Sequence, residues 1–211
     1  TPIMKNKNTF NWLDIAQRLQ AIAQAGLEFG HSSYDVDRYE QLRDISIDIM
    51  EQYTEMDRDI IRNVFASDTG YPTPKVDVRA AIFHENRILL VREKLDNKWS
   101  LPGGWADQHL TLSENLIKES REEAGAEVIP KNLLAIMDRR SFNYPPISHG
   151  CYKIFVECAL KEENFQENTE TSDSGFFSVD ELPPLSTPRN TKEQIEICFK
   201  LKGKNNEVFF D

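Results

Sequence analysis

An α+β fold, with strands of mixed direction around one functional helix and a small all-helical region in front, follows from three features of the sequence. Apolar residues recur at helical spacing up to residue 65, then switch to strand alternation from residue 76. Between residues 101 and 126 a Pro-Gly-Gly turn feeds a capped helix rich in glutamate. Mixed strands around one such helix fit an α+β sandwich.

In chain order, Trp12, Ile15, Leu19 and Ile22 repeat at intervals of 3, 4 and 3, which lines them along one helical stripe ending near Gly30. Asp35 or Asp37 can cap a second helix carrying Tyr39, Leu42, Ile45 and Ile49. A third, short stretch groups Met56, Ile60, Ile61, Val64 and Phe65. Three such helices cannot bury a large core alone, so they must pack on the following domain or on a second subunit. Residues 67–75 combine turn formers with two prolines and read as a connection. The expected boundaries are a helical domain over 1–68, a linker over 69–75 and a second domain over 76–211.

Val76, Val78, Ala80 and Ile82 alternate with Asp77, Arg79 and Ala81, a strand with Arg79 on its opposite face. Residues 88–92 make a second strand, and 98–101 an extended entry to the glycine turn. Longer strands are expected over 133–139 and 152–160, a short one over 175–178 and a closing helix over 191–201.

The glutamate helix is framed by a Thr111–Glu114 capping box and by Gly125 as a stop, with Leu112, Leu116, Ile117 and Ala124 as its apolar stripe. Glu119, Glu122 and Glu123 stand at i, i+3 and i+4, on one side of that helix. Carboxylates crowded in this way repel unless a cation holds them, and hard oxygen ligands suit Mg²⁺ or Mn²⁺.

The 35 acidic and 25 basic residues give a formal charge of −10, which opposes binding to duplex DNA or to anionic membranes. No apolar run reaches membrane-spanning length and no secretion signal is visible, so a cytoplasmic location is expected. Cys151, Cys158 and Cys198 have no metal-like spacing and read as reduced packing thiols.

The segment 101–126 resembles the signature of the Nudix hydrolases: Gly, five residues, Glu, seven residues, then Arg-Glu-apolar-x-Glu-Glu-x-Gly-apolar. Gly104, Glu119, Glu122, Glu123 and Gly125 fall on the signature glycine, the three metal-binding glutamates and the closing glycine. Leu110, Lys118, Ser120 and Ala126 depart from it. In the family the first glutamate and the arginine brace each other; here Leu110 and Lys118 stand at those places. Lysine keeps the charge without the planar fork, and only Glu114 and Glu122 lie four residues away on the helix. Restoring Lys118→Arg is therefore expected to change little.

The resemblance implies a Nudix-type sandwich with a mixed sheet and a divalent metal held by Gly104, Glu119, Glu122 and Glu123. It implies catalytic roles for those glutamates and, in the loop 168–174, for Glu170, with Asp173 as its competitor. Arg79, Arg92 and Arg139 are candidates to bind substrate phosphates, Gly103 and Gly104 to line the site, and Trp105 to meet a nucleobase. The long helical extension, with residues 75–83, 99–105 and 182–186, resembles a subgroup of ADP-ribose or CDP-choline pyrophosphatases. In that subgroup such helices assist dimerisation and frame the pocket, so a homodimer is expected. The implied reaction is metal-dependent cleavage of a nucleoside diphosphate linked to a group X, giving NMP and phospho-X. The alternatives are hydrolysis of NTPs, dinucleoside polyphosphates or RNA ends, and a non-catalytic nucleotide sensor.

Overall fold

The computed structural model describes residues 11–211; the first ten residues of the expected helical domain lie outside the described residues. The chain forms two compact units, one spanning residues up to 74 together with 147–149, the other 75–146 and 150–211.

The first unit holds α1 (Trp12–Phe29), α2 (Ser33–Tyr53) and α3 (Arg58–Phe65). Ser32, not Asp35 or Asp37, caps α2: its hydroxyl accepts from the Asp35 N–H at 3.1 Å, because the helix begins before the acidic pair, which falls inside its first turns. Asp57 caps α3. Gly26 lets the Tyr39 ring lie across α1, since a Cβ there would come within 2.2 Å of it. Ala16 and Ala66 make room for Ile47, Met50 and Ile61 in the buried face, with Trp12, Leu13, Ile49 and Phe65 packed against them. Of the apolar stripes read from the sequence, Ile61 is in that core and Trp12, Ile49 and Phe65 pack against it, whereas Ile22, Ile45, Met56, Ile60 and Val64 are exposed. Arg58 and Arg62 reach back from α3 to carboxylates of α2, Arg62 meeting Asp44 at 2.6 Å and Arg58 pairing with Asp48 and Glu51.

The second unit is a mixed sheet between helices, as the α+β expectation required. Its strands are β1 (Lys75–His84), β2 (Arg87–Glu93), β3 (Trp99–Ser100), β4 (Ala126–Asp138), β5 (Cys151–Glu163), β6 (Thr171–Phe177) and β7 (Phe209–Phe210). Its helices are α4 (Leu112–Ala124), the short α5 (Arg139–Phe142) and α6 (Lys192–Leu201). The strand order is β3-β2-β1-β5-β4-β7, with β6 also paired to β2. β1 and β5 run parallel, Lys75 opposite Cys151 through Phe83 opposite Ala159, while β4 runs antiparallel to β5.

Residues of β1 and β2 alternate between two cores. Val78, Ala80, Ile82, Leu89 and Val91 pack under Leu116 and Ala124 of α4. Ala81, Ile88 and Leu90 pack with Phe155 under Ile195, Cys198 and Leu201 of α6. A fully buried leucine such as Leu116 contributes about 1.5–3 kcal/mol, so these two layers fix α4 firmly on the sheet.

Several strand boundaries differ from the sequence reading. β4 begins at Ala126, directly after Gly125, and passes through Pro130, where a register shift against β5 absorbs the residue that cannot donate to the ladder. β6 starts at Thr171, and Arg139 opens α5 instead of ending a strand. All three cysteines are free and buried. Among the described residues no helix is long and apolar enough to cross a membrane.

Candidate active site

The glycine turn is zipped along the free edge of β1. Val78 N–H donates to Gly104 O at 2.8 Å, Ala80 N–H to Pro102 O at 2.9 Å, and Ala106 N–H to Val76 O at 2.9 Å. Buried side chains take other groups of the turn. Leu101 N–H donates to Asn190 Oδ1 at 2.7 Å, Leu101 O accepts from Arg79 Nη1 at 3.0 Å, and Gly103 N–H donates to Glu123 Oε2 at 2.8 Å. Gly103 has φ 141°, and a Cβ there would lie 2.0 Å from Val78 O. Only glycine fits a backbone pressed this closely on its neighbour.

α4 starts with the expected capping box: Thr111 Oγ1 accepts from Glu114 N–H at 3.2 Å and Glu114 Oε2 accepts from Thr111 N–H at 2.8 Å. It ends on Gly125 in the left-handed region, φ 60°. Asn115, buried near its start, accepts from Asp107 N–H at 2.8 Å and donates to Leu110 O and Thr111 O at 3.2 and 3.0 Å. One amide therefore latches the segment between the turn and the helix. Ser120, at a place where the family signature is apolar, is buried and its hydroxyl has no hydrogen-bond partner.

The three glutamates have different surroundings. Glu123 is buried and hooked onto Gly103 N–H; burial pushes its carboxyl up to about 8, against the pull of Arg79. The Glu119 side chain is 12 % exposed, and its Oε2 would lie 3.1 Å from a Cβ on Gly104, so the carboxylate faces the glycine turn. Burial raises Glu119 as well, against Lys118. The Glu122 side chain is 60 % exposed. Lys118 Nζ stands among these acids, 3.1 Å from Glu119 Oε1 and 3.3 Å from both Glu122 Oε2 and Asp107 Oδ2. Its ammonium is held protonated, chiefly by the bond to Glu119.

Among the described residues no three Asp, Glu, His or Cys side chains enclose a cation by themselves. The donor set nevertheless fits a hard divalent ion that keeps part of its shell for water and phosphate: beside the glycine turn, burial disfavours the ionised forms of Glu119 and Glu123 until positive charge arrives, and Glu122 adds a solvent-facing carboxylate.

Glu170 is exposed, on a loop tied to the end of α4. Asn168 Nδ2 donates to Glu122 O at 2.9 Å, Thr171 Oγ1 donates to Glu123 O at 2.7 Å, and Glu170 N–H donates to Asn168 Oδ1 at 2.9 Å. The loop that carries Glu170 is thus bonded to the last turn of α4, with the Glu170 side chain exposed. Asp173 lies farther along β6, opposite Arg92. Trp105 follows the turn and is half exposed.

The arginines expected to meet phosphate are placed otherwise. Arg79 is buried and paired through two bonds with Asp77, at 2.8 and 2.9 Å, which also accepts from Lys153 at 2.8 Å. Its guanidinium is committed inside the sheet because β1 is covered on both faces. Arg139 is buried at the start of α5 and donates to Pro145 O at 2.8 Å. Arg92 alternates with Val91, which faces α4, so it falls on the opposite side of β2. A cavity of about 500 Å³ opens at the end of α4, lined by Glu122, Glu127, Glu162 and Glu167 and by Arg121, whose charge Glu127 already takes at 2.7 Å, so its net charge disfavours phosphate. Sequence reasoning missed Asp107, Asn115, Asn168 and Asn190. Asn168 lay in the loop 168–174 and Asp107 and Asn115 in the segment 101–126, both already singled out, but no spacing marks these residues, and Asn190 lay outside either.

Comparison with known proteins identifies the family. Residues 73–197 match the model of the NUDIX domain, and residues 11–65 that of the UDP-X-like, N-terminal oligomerisation domain. The chain is 45 % identical over 201 residues to a putative ADP-ribose pyrophosphatase, YjhB, of Bacillus subtilis (strain 168), covering 95 % of this chain and 97 % of that protein. Among solved structures, a UDP-X diphosphatase aligns with a TM-score of 0.63 at 35 % identity, over 95 % of this chain and 98 % of its own. An ADP-ribose pyrophosphatase of Streptococcus suis 89-1591 aligns with a TM-score of 0.61 at 45 % identity, over 66 % of this chain and all of its own. With its glycine turn, its glutamate helix and matches of this extent, the chain belongs to the Nudix hydrolases, as a pyrophosphohydrolase with a UDP-X-like helical region at its N-terminal side.

Proposed function

We propose that this chain hydrolyses the diphosphate of a nucleoside diphosphate joined to a group X, giving NMP and phospho-X, with Mg²⁺ or Mn²⁺ held by Glu119, Glu122, Glu123 and the Gly104 carbonyl. The observation that carries the reading is the Glu119 carboxylate facing Gly104 while Glu123 is hooked on Gly103. Relatives named for ADP-ribose and for UDP-X favour a nucleotide whose X is a sugar; ADP-ribose leads and CDP-choline is the second substrate to try.

When bound, the divalent ion supplies Lewis acidity at the phosphates and lowers the pKa of water. The residues supply the geometry. Gly103 and Gly104 present a rigid backbone wall to the diphosphate, and Glu123, anchored to that wall, keeps α4 in register with it. Trp105 offers an exposed ring to the base. Glu170 accepts the proton of the attacking water as its oxygen bonds to one phosphorus; the bridging P–O bond breaks and its electrons leave with the other phosphate. The exposed apolar residues of the first unit, with the oligomerisation-type match, support a homodimer.

The test is NMP release from ADP-ribose, a UDP-sugar, CDP-choline, diadenosine polyphosphates and NTPs, each with Mg²⁺, with Mn²⁺ and with EDTA. Metal-dependent cleavage of one nucleoside diphosphate compound to NMP is expected. Turnover unaffected by EDTA, or release of pyrophosphate from NTPs as the main activity, would displace the proposal.

A further inference from the structure

The Lys118 ammonium sits where it competes with any cation for Glu119 and Glu122, and it has a third carboxylate within the same reach. Asp107 Oδ2 lies 3.3 Å away, as near as Glu122 and almost as near as Glu119. Unlike the other two, Asp107 is not on α4; it belongs to the segment between Trp105 and the helix cap. Its position is fixed, because its N–H donates to the buried Asn115 at 2.8 Å, one turn before Lys118 on α4. Lys118 takes Oε1 of Glu119 and leaves Oε2 facing the glycine turn. The clamp and the turn thus use different oxygens of one carboxylate.

We propose that Asp107 is a positioning residue that draws the Lys118 ammonium aside, so that Glu119 and Glu122 keep oxygens free to take a divalent cation. Lys118 then steers the glutamates without filling their place, and Asp107 does the work of the partner that Leu110 cannot be. A point charge suits this role: it turns among three acceptors as a rigid guanidinium fork does not. The inference rests on Glu119 and Glu122 being metal ligands.

The test is calorimetric titration of the full chain with Mn²⁺ alone, without substrate, for the wild type, Asp107→Asn, Lys118→Met and the double variant. With Asp107 neutral, Lys118 rests on the two glutamates only, and Mn²⁺ affinity falls about tenfold. In the Lys118→Met background the same Asp107→Asn change has less than about a twofold effect, since no ammonium is left to be drawn aside. Asp107 is on the surface, and unchanged melting curves confirm that each variant folds. An equal loss in both backgrounds would make Asp107 a plain through-space charge and overturn the proposal, as would no loss in either. If the wild type takes up no Mn²⁺, the metal reading of the site falls too, whereas uptake insensitive to Asp107 removes this inference alone.

Discussion

The residues of the site divide by what burial does to their charge. Glu123 is desolvated and locked to backbone, whereas Glu122 is mostly solvated, so the two answer differently to substitution. Glu122→Gln is expected to leave the melting temperature unchanged and to lower metal-dependent turnover by more than the roughly 10–100-fold that follows loss of a supporting residue. Near-wild-type kcat in a folded Glu122→Gln protein would remove it from the ligand set. On the sheet, Lys153 is held by burial, and by the nearby Arg79 charge, at about 8 although Asp77 pulls it the other way. A lysine depressed in the folded state binds fewer protons there than when unfolded between pH 8 and its ordinary value of 10.5. Stability therefore carries the cost of the buried ammonium below pH 8 and gains as pH rises through that window. Denaturant melts should show a smaller gain over the same window for Lys153→Met, which leaves Asp77 paired with Arg79; an identical slope would deny Lys153 this role. Arg79 shows why such residues are hard to place beforehand. Its alternation on β1 was readable, but not that Asp77, two residues away on the same face, would absorb its guanidinium.

At the scale of elements, the glycine turn and α4 form one construction. The turn is bonded to β1 on one side and to Glu123 on the other, so a change in it reaches the carboxylates. Gly103→Ala forces a side chain into φ 141° and onto Val78 O, costing about 1–3 kcal/mol or more. The expected outcome is a lower melting temperature together with weaker Mn²⁺ binding; a variant with both unchanged would mean that the turn is looser than its bonds indicate. This construction was the most legible part of the sequence, because capping box, helix stop and glutamate spacing are local rules that act within a few residues. Harder to read were elements whose limits are set across the sheet. β4 extends through Pro130 because β5 beside it is long, and β6 begins early because Thr171 and Asn168 bond to the end of α4. Such pairings have no signature within the strand itself.

For the whole molecule, the helical region and the sheet domain differ in how much of their apolar surface is covered. In the sheet domain large apolar residues lie inside, in two layers. In the first unit Ile47, Met50 and Ile61 are buried with Ala16 and Ala66, but other large apolar residues are left outside, with Ile22 52 % and Val64 63 % exposed. The apolar stripe was visible in the sequence, but its direction was not, since 3.6-residue spacing marks a face and not what covers it. If a second copy covers it, sedimentation should show a dimer, and Val64→Glu should shift the population toward monomer while the melting temperature stays near that of the wild type. A wild-type chain that sediments as a monomer at micromolar concentration would assign the stripe another purpose. The bonded turn between Ser100 and Ala106 has a consequence of its own. With its groups already spoken for by β1, Asn190, Arg79 and Glu123, this part of the site can change little without unmaking the fold. New preferences for X must then arise in other segments, and a library built to alter what the protein accepts gains most by leaving residues 100–106 untouched.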